Sequence, residues 1–279
     1  MPERVTAARL ELLGTGTSSG IPVIACNCAT CCSDDPRDRR LRTSAALRFT
    51  DPQGQERLWL IDVSPDHRTQ ALRSRIARCD AILITHAHMD HIAGLDEVRR
   101  YNVLMRAPIE VFTDAQTMTD VERVFRYIFS RHTNANDSFV ADLIPHRVIP
   151  GVAVERHGLR MRPFTMLHGR VPVLAWRIEA VDGGDGGGLL PMAYCTDVSA
   201  VPPEAFQWLA GLQTLVLDML RFRAHPTHFT VDEAVSVAGQ LAARRTVFVH
   251  MTHDICHAEL DPRLPLGMAL GFDGMQLPA

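Results

Sequence analysis

The chain has 279 residues, of which 46% are hydrophobic, so it can bury the core of one large domain spanning residues 1–279. Its formal net charge of −3 and its pI near 6.5 exclude the basic surface with which proteins hold long nucleic acids. The sequence has no apolar run long enough to cross a bilayer and no signal peptide at its start, so we expect a cytoplasmic protein without a membrane partner.

In chain order, β-rich runs come first: RLELLGTG, SAALRFT, RLWLIDVS, AILITH and IEVFT. A helix is predicted in TDVERVFRYIF, and residues 137–150 are predicted to be an irregular surface connection. Further strands follow in GVAVERHG, MRPFTML, VLAWRIEAV, MAYCTD, TLVLDML and TVFVH, and the glycine-rich residues 181–188 predict a mobile hairpin tip. In TVDEAVSVAGQLAA, Thr230 and Glu233 predict a helix that begins with a capping box. Mixed strands and helices favour layered sheets covered by helices.

The strongest motif is ILITHAHMDH, in which an apolar strand is followed by His86, His88, Asp90 and His91. Side chains two apart on an extended backbone point the same way, so His86 and His88 can share one cation. Asp90 and His91 lie where the chain should turn into a helix, and they can address a second cation. A lone histidine is usually a structural residue, but four ligand-type residues at this spacing favour a metal site.

The H-x-H-x-D-H spacing is the signature of the metallo-β-lactamase superfamily, which this sequence resembles. The resemblance implies an α/β fold, the αββα sandwich of two central mixed sheets flanked by helices. It also implies further ligands at later strand ends, namely His168, Asp197 and His250. One divalent ion would then bind to His86, His88 and His168, the other to Asp90, His91 and His250, and Asp197 would bridge them. Imidazole and carboxylate ligands accept manganese, zinc, nickel or iron.

Two residues close to the motif have open interpretations. Asp62 ends the strand LWLID, where it either accepts a hydrogen bond from a ligand histidine or caps the following turn. Arg99 lies just after the motif, and either a phosphate contact or a solvated helix face explains it.

Three further stretches resemble the phosphoribosyl cyclic phosphate phosphodiesterase of the carbon-phosphorus lyase pathway and its relatives. They are LGTGTSSGIP with CNCATC, LIDVSPD, and GFDGM, and the resemblance runs from residue 10 to 276. In those relatives a C-x-C-x-x-C cluster and a histidine hold an extra zinc. The implied ligands of one structural zinc here are Cys26, Cys28, Cys31 and His253, in an N-terminal loop at about 21–35 and after the last strand. A Cys3His set closes a tetrahedral site and leaves no position for chemistry.

Cys32 adjoins the cluster and could replace Cys31, although the spacing favours Cys31. Four crowded cysteines in a chain with seven suit a metal better than a disulfide framework. The other three, Cys79, Cys195 and Cys256, are predicted to be ordinary cysteines.

A general acid is also implied. Phosphodiesterases of this superfamily place a histidine in an H-x-T context just before a helix, and His228 in AHPTHFT matches it. Imidazole suits proton donation because its unperturbed pKa is close to neutral pH. His225 is the nearby competitor, and a solvent-exposed turn histidine is the alternative for either. We count His228 and Asp90 as catalytic residues, and we assign no role to His67, His132, His146, His157 and His257.

The sequence therefore predicts a metal-dependent phosphodiesterase that acts on a small cyclic or nucleotide-like phosphodiester through a hydroxide shared by two metal ions. Alternatives are a tRNA 3′-processing endonuclease, whose basic arm is not evident in residues 99–165, and a pyrroloquinoline quinone biosynthesis-type metalloprotein. A metal-binding protein without catalysis is a third alternative. Related enzymes often form homodimers, which is a further expectation from the resemblance.

Overall fold

Two seven-stranded sheets form the centre of the protein, in a computed structural model that describes residues 4–130 and 139–278. The first sheet begins with β1 to β6, which are Thr6–Gly14, Ser44–Thr50, Glu56–Ile61, Ala81–Leu83, Ile109–Thr113 and Leu143–Arg147. The second sheet contains β7 to β13, which are Val154–Arg156, Leu159–His168, Val171–Ala180, Met192–Cys195, Thr214–Asp218, Arg245–Val249 and Met268–Leu270. The chain then returns to the first sheet with β14, Gln276–Leu277.

The two sheets have the same pattern of pairing. In the order β14-β1-β2-β3-β4-β5-β6, the first three pairings are antiparallel and the last three are parallel. In the order β7-β8-β9-β10-β11-β12-β13, three antiparallel pairings are again followed by three parallel ones. Parallel strands end at one edge of a sheet, so each sheet offers an edge where loops and side chains gather.

Helices cover the outer faces of both sheets. In the described part of the chain the α-helices α1 to α8 are His67–Arg73, Met89–Ile92, Arg99–Met105, Ala115–Val124, Arg126–Phe129, Phe206–Leu209, Val231–Leu241 and His257–Leu260. Short 3₁₀ helices lie at Pro36–Asp38, Ala93–Val98, Pro203–Ala205 and Asp261–Arg263. None of the helices among the described residues is both long and apolar enough to cross a membrane.

Strand alternation builds a core in three layers. On β3, Trp59 and Ile61 point between the sheets, whereas Leu58 and Leu60 point towards the outer helices of the first sheet. On β9, Trp176 lies between the sheets, and its neighbour Ala175 packs on the helix side of the second sheet. Because successive strand residues face opposite sides, strands buried on both faces need the continuous apolar runs seen in the sequence. The predicted αββα sandwich is confirmed.

Two of the local predictions agree with the structure, and a third agrees only in part. The capping box of α7 is present, since Thr230 and Glu233 each bond to the other's backbone N–H. Strands β9 and β10 are an antiparallel hairpin around the predicted glycine-rich connection. The irregular connection predicted over 137–150 is wrong in its second half, where β6 pairs in parallel with β5. The first two residues of that segment lie outside the described residues.

Candidate metal centre

The ends of five strands meet at one edge of the sandwich and carry polar side chains there. Asp62 follows β3, Asp197 lies two residues beyond β10, Asp218 ends β11, and His250 follows β12. His168 ends β8 from the antiparallel half of the second sheet. All five side chains are buried, which is unusual for carboxylates unless they are paired or bind metals.

Three of these strand-end residues adopt a left-handed backbone. The φ angles are 58° at Asp62, 56° at Asp197 and 66° at His250, although none of them is glycine. Such conformations cost about 1–3 kcal/mol each and persist where the surrounding structure holds them in place. The local strain aims these side chains away from the strand direction and into the space between the sheet ends.

The structure brings all seven predicted ligands together. On one side, His86 Nε2 lies 2.9 Å from His88 Nδ1 and 3.7 Å from Asp197 Oδ2. The His168 ring centroid lies 5.7 Å from that of His86 and 5.3 Å from that of His88. His168 also forms a group of potential ligands with Asp197 and His228. These residues form the first histidine set, His86, His88 and His168.

The second set lies on the other side of Asp197. Asp197 Oδ1 is 3.2 Å from His91 Nε2 and 3.3 Å from His250 Nε2. Asp90 Oδ2 is 3.3 Å from His91 Nε2 and 3.6 Å from His250 Nε2. The two oxygens of Asp197 therefore face different histidine sets, which is the geometry needed for a carboxylate that bridges two ions.

Unpaired nitrogen atoms fit a metal site. Among the described residues, the Nε2 atoms of His91 and His250 are buried and have no hydrogen-bond partner. Buried polar atoms are rarely left unpaired, and an ion would satisfy both. Burial alone would lower the pKa of His91, but the carboxylates of Asp197 and Asp62 outweigh it and raise that pKa well above its ordinary value. This negative field equally favours bound cations.

Asp62 supports a predicted ligand and caps no helix. Its Oδ1 accepts from the backbone N–H of Thr85 at 2.8 Å, and its Oδ2 accepts from the Thr85 hydroxyl at 2.8 Å. His91 Nδ1 lies 2.7 Å from Asp62 Oδ2, so the Nδ1–H of His91 donates to it. Nε2 of His91 is then left free for the ligand position. Of the two interpretations, the hydrogen bond to a ligand histidine is the one observed.

Asp218 is a residue of the candidate site that the sequence interpretation missed. It is fully buried, its Oδ1 lies 3.1 Å from His228 Nδ1, and its Oδ2 accepts from the backbone N–H of Phe229 at 3.1 Å. His250 Nδ1 is 3.6 Å from the same Oδ1. The available signal was a carboxylate that closes the buried run LVLD, just as Asp62 closes LWLID.

His228, and not His225, is the histidine that this carboxylate orients. The buried ring of His228 lies 4.6 Å from the ring of His168 and 4.8 Å from that of His250, and its Nε2 is 4.0 Å from Asp197 Oδ2. His225 is half-buried, with its ring 5.2 Å from that of His228. The turn between the two is tied to the first histidine set, because His168 Nδ1 donates to the carbonyl of Thr227 at 2.8 Å.

A second candidate site lies beside the first. The sulfur atoms of Cys26, Cys28 and Cys31 lie 3.2, 3.5 and 3.5 Å from His253 Nδ1. Cys32 is exposed and stands outside this group. The backbone N–H groups of Val23 and Cys31 donate to the sulfurs of Cys31 and Cys28. The bond from Cys31 lowers the pKa of the Cys28 thiol, whereas burial raises the pKa of Cys31 to about 11. Three thiolates and one imidazole suit a closed tetrahedral zinc site.

A buried ion pair lies next to this sulfur cluster. Arg40 and Asp38 are fully buried, with Nη2 2.9 Å from Oδ1. Arg40 also donates to the carbonyl of Thr252 at 3.1 Å, and Asp38 accepts from the backbone N–H of His257 at 2.8 Å. Backbone bonds between Thr15, Thr17 and Met251 join the same two segments. The N-terminal loop is thus fixed to the chain that leaves β12.

A cleft of about 550 Å³ opens beside the first histidine set. The start of β9 and the side of α4 form its walls, which include His86, His88, Asp114, Gln116, Asp120, Arg123, Val124, Val173 and Leu174. The cleft is large enough for a small organic group next to these histidines.

The remaining candidates have structural partners. Arg99 Nη1 lies 2.7 Å from Asp96 Oδ2, so the helix-face interpretation fits, and no phosphate contact is indicated. Of the histidines without a predicted role, His132 lies outside the described residues, and the rest belong to none of the potential ligand groups, namely His67, His146, His157 and His257. Cys79 and Cys195 are buried, and Cys256 is partly so.

Comparison with known proteins agrees with this geometry. The model of the beta-lactamase superfamily domain matches residues 57–251, which contain both histidine sets and Asp197. The chain belongs to the metallo-β-lactamase superfamily. The crystal structure of a new diphosphatase from the PhnP family is similar to this protein. The TM-score is 0.85 at 38% identity, and the match covers 98% of this chain and 97% of that one.

Two further proteins are similar to this chain. A protein named octanoyltransferase from Porphyromonas gingivalis is 32% identical over 96% of this chain, but the match spans only 51% of that protein. The Zn²⁺-bound PqqB of Methylobacterium extorquens has a TM-score of 0.75 at 19% identity, and the match covers 97% of this chain and 100% of PqqB. At that identity it shows the shared fold alone. The resemblance to PhnP-like proteins is confirmed.

Proposed function

We propose that this protein is a metal-dependent phosphodiesterase that hydrolyses a small phosphodiester. One observation carries the proposal: Asp197 presents its two oxygens to two histidine sets, beside a histidine that a buried carboxylate orients. The PhnP-family diphosphatase supports phosphorus chemistry, because it is 38% identical over nearly the full length.

The donor set fits two divalent ions: His86, His88 and His168 would hold one, Asp90, His91 and His250 would hold the other, and Asp197 would be shared. Bound there, such ions supply an activated water and neutralise the charge that develops on phosphorus. The protein's own contribution is orientation: Asp62 fixes the ring of His91, and the carbonyl of Thr227 fixes the ring of His168.

His228 supplies the proton. Asp218 accepts from Nδ1–H, so Nε2 faces Asp197 and is the atom that can carry a proton to the leaving oxygen. The bond to Asp218 keeps the imidazole ring in this orientation. The reaction would end with a phosphomonoester and an alcohol.

Hydrolysis of bis(p-nitrophenyl) phosphate after loading with manganese, nickel, cobalt or zinc tests the proposal. We expect turnover with at least one metal and a fall in kcat of about 10²–10⁴-fold in His228→Ala, with KM little changed. No turnover with any metal, together with no effect of His228→Ala on any residual rate, contradicts the phosphodiesterase assignment.

Asp218→Asn separates orientation from structure. We expect kcat to fall by about 10–100-fold and the basic limb of its pH profile to shift, while the metal content stays at the wild-type level. A variant with an unchanged pH profile and reduced metal content would mean that Asp218 serves His250 and not His228.

A further inference from the structure

The hydroxyl of Thr85 lies between the predicted ligand His86 and the carboxylate of Asp62. Thr85 is fully buried, two residues beyond the end of β4. Its Oγ1 lies 2.8 Å from Asp62 Oδ2 and 3.0 Å from His86 Nδ1. A buried hydroxyl within hydrogen-bond distance of a carboxylate and an imidazole can connect the two groups.

The directions of these hydrogen bonds follow from the donors and acceptors present. The Asp62 carboxylate accepts from the backbone N–H of Thr85 and from the ring N–H of His91, and it accepts the single proton of the Thr85 hydroxyl as well. The lone pairs of the hydroxyl oxygen are then free to accept from the Nδ1–H of His86. This proton leaves Nε2 of His86 as the nitrogen for a metal ion, and Nε2 is the atom that faces Asp197.

Asp62 thereby contacts both histidine sets. Its Oδ2 lies 2.7 Å from the Nδ1 of His91, which belongs to the second set. Through the Thr85 hydroxyl, the same oxygen is connected to His86, which belongs to the first set. One ligand in each set is therefore oriented from a single carboxylate oxygen.

Both residues of this connection are fixed by backbone hydrogen bonds. The N–H of Asp62 donates to the carbonyl of Leu83 on β4, and its carbonyl accepts from the Ser44 hydroxyl on β2, both at 2.9 Å. The N–H of Thr85 donates to Asp62 Oδ1 at 2.8 Å, and its carbonyl accepts from the N–H of Leu174 on β9 at 2.9 Å. Thr85 is thus bonded to both sheets, which holds its side chain in place.

We propose that Thr85 is a positioning residue, whose hydroxyl holds the ring of His86 in the orientation needed for a metal ion and connects the two histidine sets through Asp62. The inference rests on the two ion sites of the proposed function and not on the substrate. Loss of the hydroxyl should weaken one ion, because the Nδ1–H of His86 loses its acceptor. Loss of the carboxylate should weaken both.

Calorimetric titration of the metal-free protein with Zn²⁺ tests this role. Zinc should fill the sulfur cluster and the two positions of the metal centre, and the sulfur cluster is an internal reference. In Thr85→Val, the affinity for one ion of the metal centre should fall about 10–100-fold, and the other affinities should change little. Thr85→Ser keeps the hydroxyl and should bind zinc as the wild type does.

Thr113→Val is the matched control. Thr113 ends β5, which lies beside β4, and it is fully buried, but its hydroxyl has no hydrogen-bond partner in the described part of the chain. Removing that hydroxyl should leave every zinc affinity unchanged. Asp62→Asn should weaken both ions of the metal centre. The double variant of Asp62→Asn and Thr85→Val should lose less affinity than the two single variants together, because both act through one connection.

A spectroscopic measurement makes the inference independent of metal binding. Long-range proton–nitrogen NMR spectra of the metal-free protein should show the ring proton of His86 on Nδ1 in the wild type and in Thr85→Ser, and a shift towards Nε2 in Thr85→Val. A wild-type ring with its proton on Nε2 overturns the inference, and so do unchanged zinc affinities in Thr85→Val.

Equal losses of affinity in Thr85→Val and Thr85→Ser also overturn it, because they would indicate a purely structural role. The expected affinities without any hydrolysis of bis(p-nitrophenyl) phosphate would support the role of Thr85 and contradict the proposed function alone.

Discussion

The two ligand clusters differ in how the chain assembles them. Three donors of the sulfur cluster come from one short loop, Cys26 to Cys31, and only His253 is distant in sequence. The imidazole–carboxylate cluster draws its seven residues from four separate segments, and three strand-end residues in or beside it have strained backbones. His250 and His253 are three residues apart, yet they serve different clusters. A local, closed cluster suits a structural role, and a distributed one suits chemistry.

The two clusters also differ in their donor atoms, and this difference separates a structural site from a reactive one. Three thiolates and one imidazole fill a tetrahedral zinc site and leave no open position. Imidazoles with two carboxylates keep more positive charge on the ions and so favour anionic substrates. Removing a residue of the imidazole–carboxylate cluster should therefore mainly lower activity, and removing a residue of the sulfur cluster should mainly lower stability.

The largest expected effect is on activity, in Asp197→Asn. Loss of the shared carboxylate should remove both active-site ions and lower kcat/KM by about 10³-fold or more, or at least about 4 kcal/mol of transition-state stabilisation. Elemental analysis should still find one zinc per chain in the sulfur cluster. Asp232→Asn, at an exposed carboxylate of α7, is the control. Retention of both active-site ions would show that Asp197 is not their bridge.

An intermediate effect on stability is expected for Cys28→Ser. The variant should lose the zinc of the sulfur cluster and about 3 kcal/mol of stability, which lowers Tm by about 6–12 °C for a chain of this size. The active-site ions should remain. Cys32→Ser changes the exposed neighbour and should leave Tm within about 2 °C. If Cys32→Ser lost as much stability as Cys28→Ser, Cys32 would belong to the cluster, and the choice of Cys31 over Cys32 would be wrong.

The smallest effect concerns a buried histidine outside both clusters. His67 lies against the Tyr101 hydroxyl at 2.9 Å, and burial lowers its pKa to about 4. The unfolded chain takes up this proton near pH 6.5, so the folded state loses stability as the pH falls from 6.5 to 4. Between pH 7 and 5 this loss should be about 2 kcal/mol.

Urea unfolding of the metal-free protein at pH 7 and pH 5 measures this loss. His67→Gln keeps a polar group beside Tyr101 but cannot titrate. Between pH 7 and pH 5 the free energy of unfolding of this variant should therefore fall by about 2 kcal/mol less than that of the wild type. An identical fall in both proteins would show that His67 is protonated in the folded state. Buried imidazoles of the metal centre differ from His67 in having carboxylates around them.

The sequence predicted the fold and the ligand set because both depend on short, strongly patterned segments. Apolar strands, the H-x-H-x-D-H spacing and the C-x-C-x-x-C cluster can each be recognised within about ten residues, and the superfamily resemblance supplied the distant ligands. Contacts between residues of different elements were harder to predict. Asp218 lies ten residues before His228, and nothing in the intervening loop indicates that they touch.

Other features could not be seen in the sequence at all. The left-handed backbone at Asp62, Asp197 and His250 arises from tertiary constraints, since none of these residues prefers that conformation in isolation. The strand β6 was missed because its sequence, LIPHR, contains a proline and lies at the edge of the sheet.

The matching order of pairings in the two sheets has a consequence for how this protein matures. His86, His88, Asp90 and His91 come from the half of the chain that builds the first sheet, whereas His168, Asp197 and His250 come from the second. Neither half can assemble the complete ligand set alone. In the proposed function, uptake of the two ions would therefore depend on the docking of one half against the other, and a nascent chain with only its first half folded would be inactive.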